Sequence, residues 1–171
     1  MSDRVELLTL DGDEWRMLGD EPAAFADRRE LLLGDQAGIL RELGAGTAAF
    51  LARLGGEARW GSFLAVDPAG RLVIGTCSYK GPPDADGAVE IAYFTFPPYE
   101  GRGYASSMAA LLIARAGAPP PARSVRAHTL PERNASVRIL EKLGFAHLGQ
   151  VVDPEDGPVW RWERAPGLPP V

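Results

Sequence analysis

Two sets of residues in this chain have types and spacings that suit chemistry. The first is the pair Gly101 and Gly103, which opens a stretch, residues 102–115, rich in Ala, Leu and Met. Glycines permit a tight loop, and the stretch after them is a good helix former, so the loop runs straight into a helix N-terminus. Unpaired N–H groups there point outward at the positive end of the helix dipole, which is a phosphate site. The expected contacts are the main chain of Gly101, Arg102, Gly103, Tyr104, Ala105 and Ser106; the Arg102 side chain either supplies extra positive charge or is a solvated loop residue. A nucleoside triphosphate loop would need Lys and Ser or Thr directly after its last glycine, and here Tyr104 and Ala105 follow. A dinucleotide fingerprint fails as well: Ser106 stands where its third glycine belongs, and residues 121–130 hold none of the acids expected to bind a ribose. The second set is titratable. Glu90 heads a strand and shares a face with Ala92, Phe94 and Phe96 by period-two alternation, so partial desolvation is expected to raise its pKa towards the range of a general base. His128, in another strand, suits a base or a proton relay; a solvated strand-end Glu and a structural His are the plainer readings.

Positioning these residues falls to a small set of elements. The run of β-branched, aromatic and small residues at 91–96 is a strand stopped by Pro97 and Pro98. Residues 60–66 and 72–79 are two strands joined by the polar turn 67–70, and a second turn, 81–87, leads into the strand at Glu90. Residues 124–129 make another strand, after the helix that ends near Gly117 and the stiff run Pro119 to Pro121. Strand, helical crossover and strand imply a parallel pair with a right-handed connection. A helix at 135–142 closes on Gly144, and strands at 145–151 and 159–163 finish the sheet as a hairpin. Towards the N-terminus, residues 5–10 read as a first strand, with Asp11 or Asp13 capping a short helix through Leu18. From Pro22 the apolar residues recur at helical spacing, and Gly34, Gly44 and Gly46 are expected to break this region into two or three short helices. Trp60, Tyr79, Tyr93, Trp160 and Trp162 fall in strand-like runs and are expected in the core or on a sheet face.

The chain has 171 residues, 46% hydrophobic, with a formal net charge of −5. That suits one domain, 1–164, with a proline-containing tail at 165–171. The mild acidity and the lack of a basic run argue against a nucleic-acid partner. No apolar stretch approaches a membrane span, and residues 1–10 carry early acids and no cleavable apolar region, so a cytoplasmic location is expected. A single Cys77 allows no internal disulfide, and two histidines give no metal-ligand spacing, so no metal is expected.

The loop resembles the acyl-CoA loop of the GNAT acetyltransferase superfamily, Gln/Arg-x-x-Gly-x-Gly/Ala: Glu100-Gly101-Arg102-Gly103-Tyr104-Ala105 matches it at every position but the first. A second segment, from His128 to Phe145, is similar to the region after the fifth strand in the RimJ/RimL-like branch. Together the two segments cover about a third of the chain. The resemblance implies an α/β fold of the GNAT type: a mixed, mostly antiparallel central sheet with one splayed parallel strand pair, flanked by helices. It also implies transfer of acetyl from acetyl-CoA, as co-substrate, to a primary amine, either a small molecule or a protein N-terminus, by direct attack in a ternary complex. The diphosphate would rest on residues 101–106 and the pantetheine arm along Phe94, Thr95 and Phe96; Glu90 would take the amine proton. Many family members carry a Tyr acid four residues before the Gly-Phe pair, where this chain has Leu140. Ser136 matches a branch Ser and either bonds the sulfur or is a plain helix N-terminal serine, and Asn134 either contacts the cofactor or caps a helix. The helices of the first sixty residues would wall the acceptor site. A CoA-binding module without turnover is the alternative, and the chain is expected as a monomer or homodimer.

Overall fold

The computed structural model describes residues 4–55 and 57–166. Seven strands form one sheet in the order β1-β2-β3-β4-β5-β7-β6: β1 Glu6–Thr9, β2 Ser62–Asp67, β3 Leu72–Tyr79, β4 Ala88–Thr95, β5 Ser124–Thr129, β6 Ala146–Asp153 and β7 Gly157–Arg164. Every neighbouring pair is antiparallel except β4 and β5, which run parallel. Five helices flank the sheet: α1 Gly12–Asp20, α2 Pro22–Arg29, α3 Ala37–Arg53, α4 Tyr104–Ala116 and α5 Ala135–Lys142. This is the mixed architecture expected. The last five residues of the proline-containing tail lie outside the described residues.

Alternation along the strands splits the apolar residues into two cores. Phe63, Cys77, Ile91 and Val125 face α4 and α5, where Met108, Leu112, Val137 and Leu140 cover them. Leu64, Val66 and Val73 face the other way, onto Trp15, Leu18, Phe25 and Leu40 of the first three helices. Each buried aliphatic or aromatic side chain contributes on the order of 1.5–3 kcal/mol.

The structure departs from expectation at three points. First, Gly44 and Gly46 do not break a helix; α3 runs unbroken for 17 residues. Gly44 is buried where α3 crosses α1, and a Cβ built there would stand 2.6 Å from the Trp15 carbonyl oxygen and 2.7 Å from Gly19 Cα. Its missing side chain permits close helix packing, which outweighs its low helix propensity. Second, Trp60 lies in a 3-10 turn, Ala58–Trp60, and β2 begins only at Ser62. Third, β4 ends at Thr95, and Phe96 enters the core beneath α1 to α3 with none of its surface exposed.

Of the two capping candidates, Asp11 is the one that caps α1, with Glu14 completing a capping box. Asn134 Oδ1 accepts from the Val137 amide at 3.0 Å and so starts α5.

Candidate active site

The site follows from how β4 is paired. On the β3 side, Lys80 N donates to Glu90 O at 2.9 Å, and Phe96 N donates to Ile74 O at 2.9 Å. In an antiparallel ladder only alternate residues bond to a given neighbour, so the even-numbered residues of β4 turn their main-chain groups towards β3. Those of Ile91, Tyr93 and Thr95 therefore point towards β5. Yet β5 pairs with β4 only at Ala88, Val89 and Glu90. Past Glu90 the parallel strands separate, and the polar groups of the odd residues edge an open slot. Such groups require a partner. Phe94, whose carbonyl turns to β3, and Phe96, whose N–H is bonded and whose ring is buried, do not supply the strand backbone expected of them. Thr95 and Tyr93 edge the slot in their place.

A cavity of about 500 Å³ opens on this slot, lined among others by Tyr93, Phe94, Thr95, Gly101, Gly103, Tyr104, Ala105 and Ser106. Gly101 and Gly103 take the positive φ values, 73° and 82°, that suit glycine. Among the described residues, the amides of residues 101–106 donate to no main-chain carbonyl; the first one bonded is Ser107, to Gly103 at 3.1 Å. The loop is tied from behind. Arg4 donates to the Arg102 carbonyl at 2.7 Å, and the Tyr104 hydroxyl donates to Asp67 at 2.5 Å. That bond chiefly holds Asp67 below the usual carboxylate range and the Tyr104 hydroxyl above its ordinary value. The buried Tyr104 ring thus anchors the loop, leaving only its main chain for a ligand.

Positive charge reaches the cavity from an unexpected place. The Arg102 guanidinium lies over the Tyr99 ring, 5.8 Å from its centroid, whereas Arg138 and Lys142, one turn apart on α5, line the cavity together with Glu100. Their i, i+4 spacing just before Gly144 was the available signal. Asn134 spends its side-chain oxygen on the helix cap and is not part of the lining. Unbonded amides, two cations and an apolar wall from Ile139 and Phe94 fit a diphosphate joined to an extended amide arm.

A second cavity, about 340 Å³, lies beside the first and shares Tyr93 and Ser136 with it. Here Glu90 Oε1 lies 3.0 Å from His128 Nδ1 and 2.9 Å from Lys80 Nζ. The Glu90 and His128 side chains are mostly buried, 19% and 14% exposed, and the two residues, 38 apart in sequence, meet across the neighbouring strands β4 and β5. Lys80 carries a second, longer contact to Asp156, 3.9 Å, from the turn between β6 and β7. Desolvation works to lower the Lys80 pKa, but the bond and charge of Glu90, with Asp153 and Asp156, outweigh it and the net shift is upward. A third hollow, about 510 Å³, continues past Lys80 to Thr47, Phe50 and Arg53 of α3 and to Ser62 and Ser78.

Tyr93 is expected from the sequence in the core or on a sheet face. Its ring does pack against the core, but its hydroxyl bonds to Ser136 at the start of α5, where the two cavities meet. Burial pushes that hydroxyl up to about 12, and the Ser136 bond opposes the shift only in part. Tyr93 therefore stays protonated at neutral pH and can donate. Leu140, at the position of the family's usual acid, is fully buried in the core. Among the described residues no cluster of three or more His, Cys, Asp or Glu could hold a metal, and no helix is long and apolar enough to cross a membrane.

Residues 36–146 match the model of the acetyltransferase (GNAT) domain. No curated protein matches the chain. Among solved structures, it is similar to the ribosomal-protein-S5-alanine acetyltransferase of Vibrio fischeri, with TM-score 0.70, 14% identity and coverage of 98% of this chain and 96% of that one. It is also similar to RimL, the ribosomal L7/L12 alpha-N-protein acetyltransferase in complex with coenzyme A, with TM-score 0.67, 16% identity and coverage of 96% and 95%. The spermidine/spermine N-acetyltransferase SpeG of Vibrio cholerae gives TM-score 0.65, 15% identity and coverage of 96% and 95%. At such identities the likeness speaks for the fold; the family model, which spans well over half of the residues, carries the assignment. The chain belongs to the GNAT family of acetyltransferases.

Proposed function

We propose that this acyltransferase moves acetyl from acetyl-CoA to a primary amine, by direct attack with both substrates bound. The observation that carries the reading is the meeting of two cavities at Tyr93 and Ser136, one edged by unbonded amides and the other holding Glu90. Acetyl-CoA supplies the activated thioester. The amides of residues 101–106, with Arg138 and Lys142, suit its diphosphate, and the free groups of Tyr93 and Thr95 suit its amide arm.

An amine with a pKa near 10 is protonated at neutral pH and must lose a proton before it attacks. Glu90 is the acceptor for that proton, and His128, bonded to it, orients the carboxylate and spreads the charge. The main-chain N–H of Tyr93, at the slot, is suited to the oxyanion formed on attack. Tyr93, through Ser136, donates to the departing sulfur. A thiol with a pKa near 8.5 needs little such help. The acceptor enters past Lys80, where α3 and the turn between β6 and β7 wall the hollow. Protein N-termini and small polyamines are the two acceptor classes to test, in keeping with the names of the structural neighbours.

Thiol release from acetyl-CoA with peptides bearing free N-termini and with spermidine, alongside calorimetry of CoA binding, tests the reading. Turnover with at least one amine is expected. Glu90→Gln should lower kcat/KM by about 10²- to 10⁴-fold with CoA binding retained. CoA binding without turnover across the panel would leave a binding module in place of an enzyme.

A further inference from the structure

Only two of the chain's 18 cationic residues are lysines, Lys80 and Lys142, and Lys80 stands against the base assigned above. Its Nζ lies 2.9 Å from Glu90 Oε1, in the cavity that also contains Tyr93 and Ser136. An ion pair whose lysine is 40% exposed contributes little to stability, so its location matters more than its strength. The ammonium occupies the place an acceptor amine must take to hand its proton to Glu90. An incoming acceptor therefore has to displace Lys80, and without one Lys80 is itself a primary amine beside the base.

The geometry points to Lys80 as a self-acetylation site, modified by the protein's own acetyl-CoA when no acceptor is bound. This inference rests on the transferase reading above. In the step, Glu90 takes a proton from the Lys80 ammonium. The Nζ lone pair then forms a bond to the acetyl carbon, and the carbon–sulfur bond breaks. The second nitrogen proton passes to the departing thiolate, directly or relayed through Tyr93 and Ser136, so CoA leaves as the thiol and Glu90 returns its proton to water. The product is a neutral amide, which no longer pairs with Glu90 as a cation, so each chain reacts once and the base is left open to acceptors. Arginine could not serve here, since its guanidinium does not deprotonate in proteins.

The test is peptide mapping by mass spectrometry of the full chain after incubation with acetyl-CoA alone. Lys142, exposed at the end of α5 and lining the cofactor cavity, is the internal control. The expected result is one acetyl group per chain on Lys80, ahead of Lys142, with labelling slowed about 10²-fold or more in Glu90→Gln. In unmodified protein, an amine that is turned over should suppress the label by competing for the same place; this readout needs no variant. Calorimetry of CoA on Glu90→Gln shows whether that variant is folded. Turnover of an added amine with Lys80 left unmodified would overturn this inference and leave the transferase reading standing. Equal labelling of both lysines, indifferent to Glu90, would overturn it too, as uncatalysed chemistry. Failure to bind CoA would sink both.

Discussion

Replacing Gly44 by Ala tests how the proposed acceptor wall is held. A methyl group at this position meets only main chain: the Trp15 carbonyl oxygen at 2.6 Å, Gly19 Cα at 2.7 Å and Gly19 N at 2.8 Å. None of these is the end of a flexible side chain. To restore ordinary contact near 3.4 Å, α1 and α3 must part by the better part of an ångström. Overpacking of this kind costs up to about 3 kcal/mol. The higher helix propensity of Ala offsets about 1 kcal/mol, so a net loss of about 2 kcal/mol is expected. In a chain of this size that corresponds to a fall in Tm of about 4–8 °C. Gly46, two residues on, has nothing within 4 Å of a built Cβ, and Gly46→Ala should stabilise by about 1 kcal/mol through propensity alone. The two variants share chemistry and helix and differ only in what the methyl group meets. Urea unfolding of both measures the difference, and kinetics adds a second readout. Because Thr47, Phe50 and Arg53 of α3 line the outer hollow, Gly44→Ala should raise KM for the acceptor and leave CoA affinity unchanged. A Gly44→Ala protein as stable as the parent would refute the account of why α3 tolerates glycine.

Other expectations concern the loop and the donor side. Tyr93→Phe keeps the ring and removes the hydroxyl bonded to Ser136; kcat should fall by about tenfold, the modest end of acid–base effects, with CoA affinity kept. Asp67 is held below its ordinary pKa chiefly by Tyr104, so the stabilisation is present above the unfolded value near 4 and is lost as pH falls through the folded one. Asp67→Asn should therefore flatten the acid limb of stability against pH, as read by urea midpoints from neutral pH downwards. Asn134→Ala removes the α5 cap at a cost of about 1 kcal/mol, and since α5 carries Ser136 and Arg138, CoA binding measured by calorimetry should weaken as well.

The donor half of the site was legible because its signals are local. Two glycines with positive φ and a helix start within six residues put the amides in place, whatever the rest of the chain does. The acceptor half comes from register across strands. Lys80 meets Glu90 because β3 and β4 pair with these residues opposite each other, and His128 arrives from a strand nearly forty residues on. No spacing in the sequence encodes that. Tyr93 was passed over because alternation put it with Ile91 on the core face, which is correct; what alternation omits is that the sheet opens beside it and α5 brings a serine to its hydroxyl. Phe96 was misjudged for the reverse reason: the apolar pattern outran the strand by one residue. Gly44 was read as a breaker because propensity says nothing of a neighbouring helix that needs the room.

The short β4–β5 ladder has a mechanical meaning. Within the sheet, three residue pairs form the ladder between the four-stranded half and the three-stranded half, over a core that both halves share, and beyond them the facing edges are unpaired. The sheet is thus two plates laced at one end above a common core. Whatever ligand fills the seam acts as additional stitching, so occupancy should slow amide exchange in both plates at once.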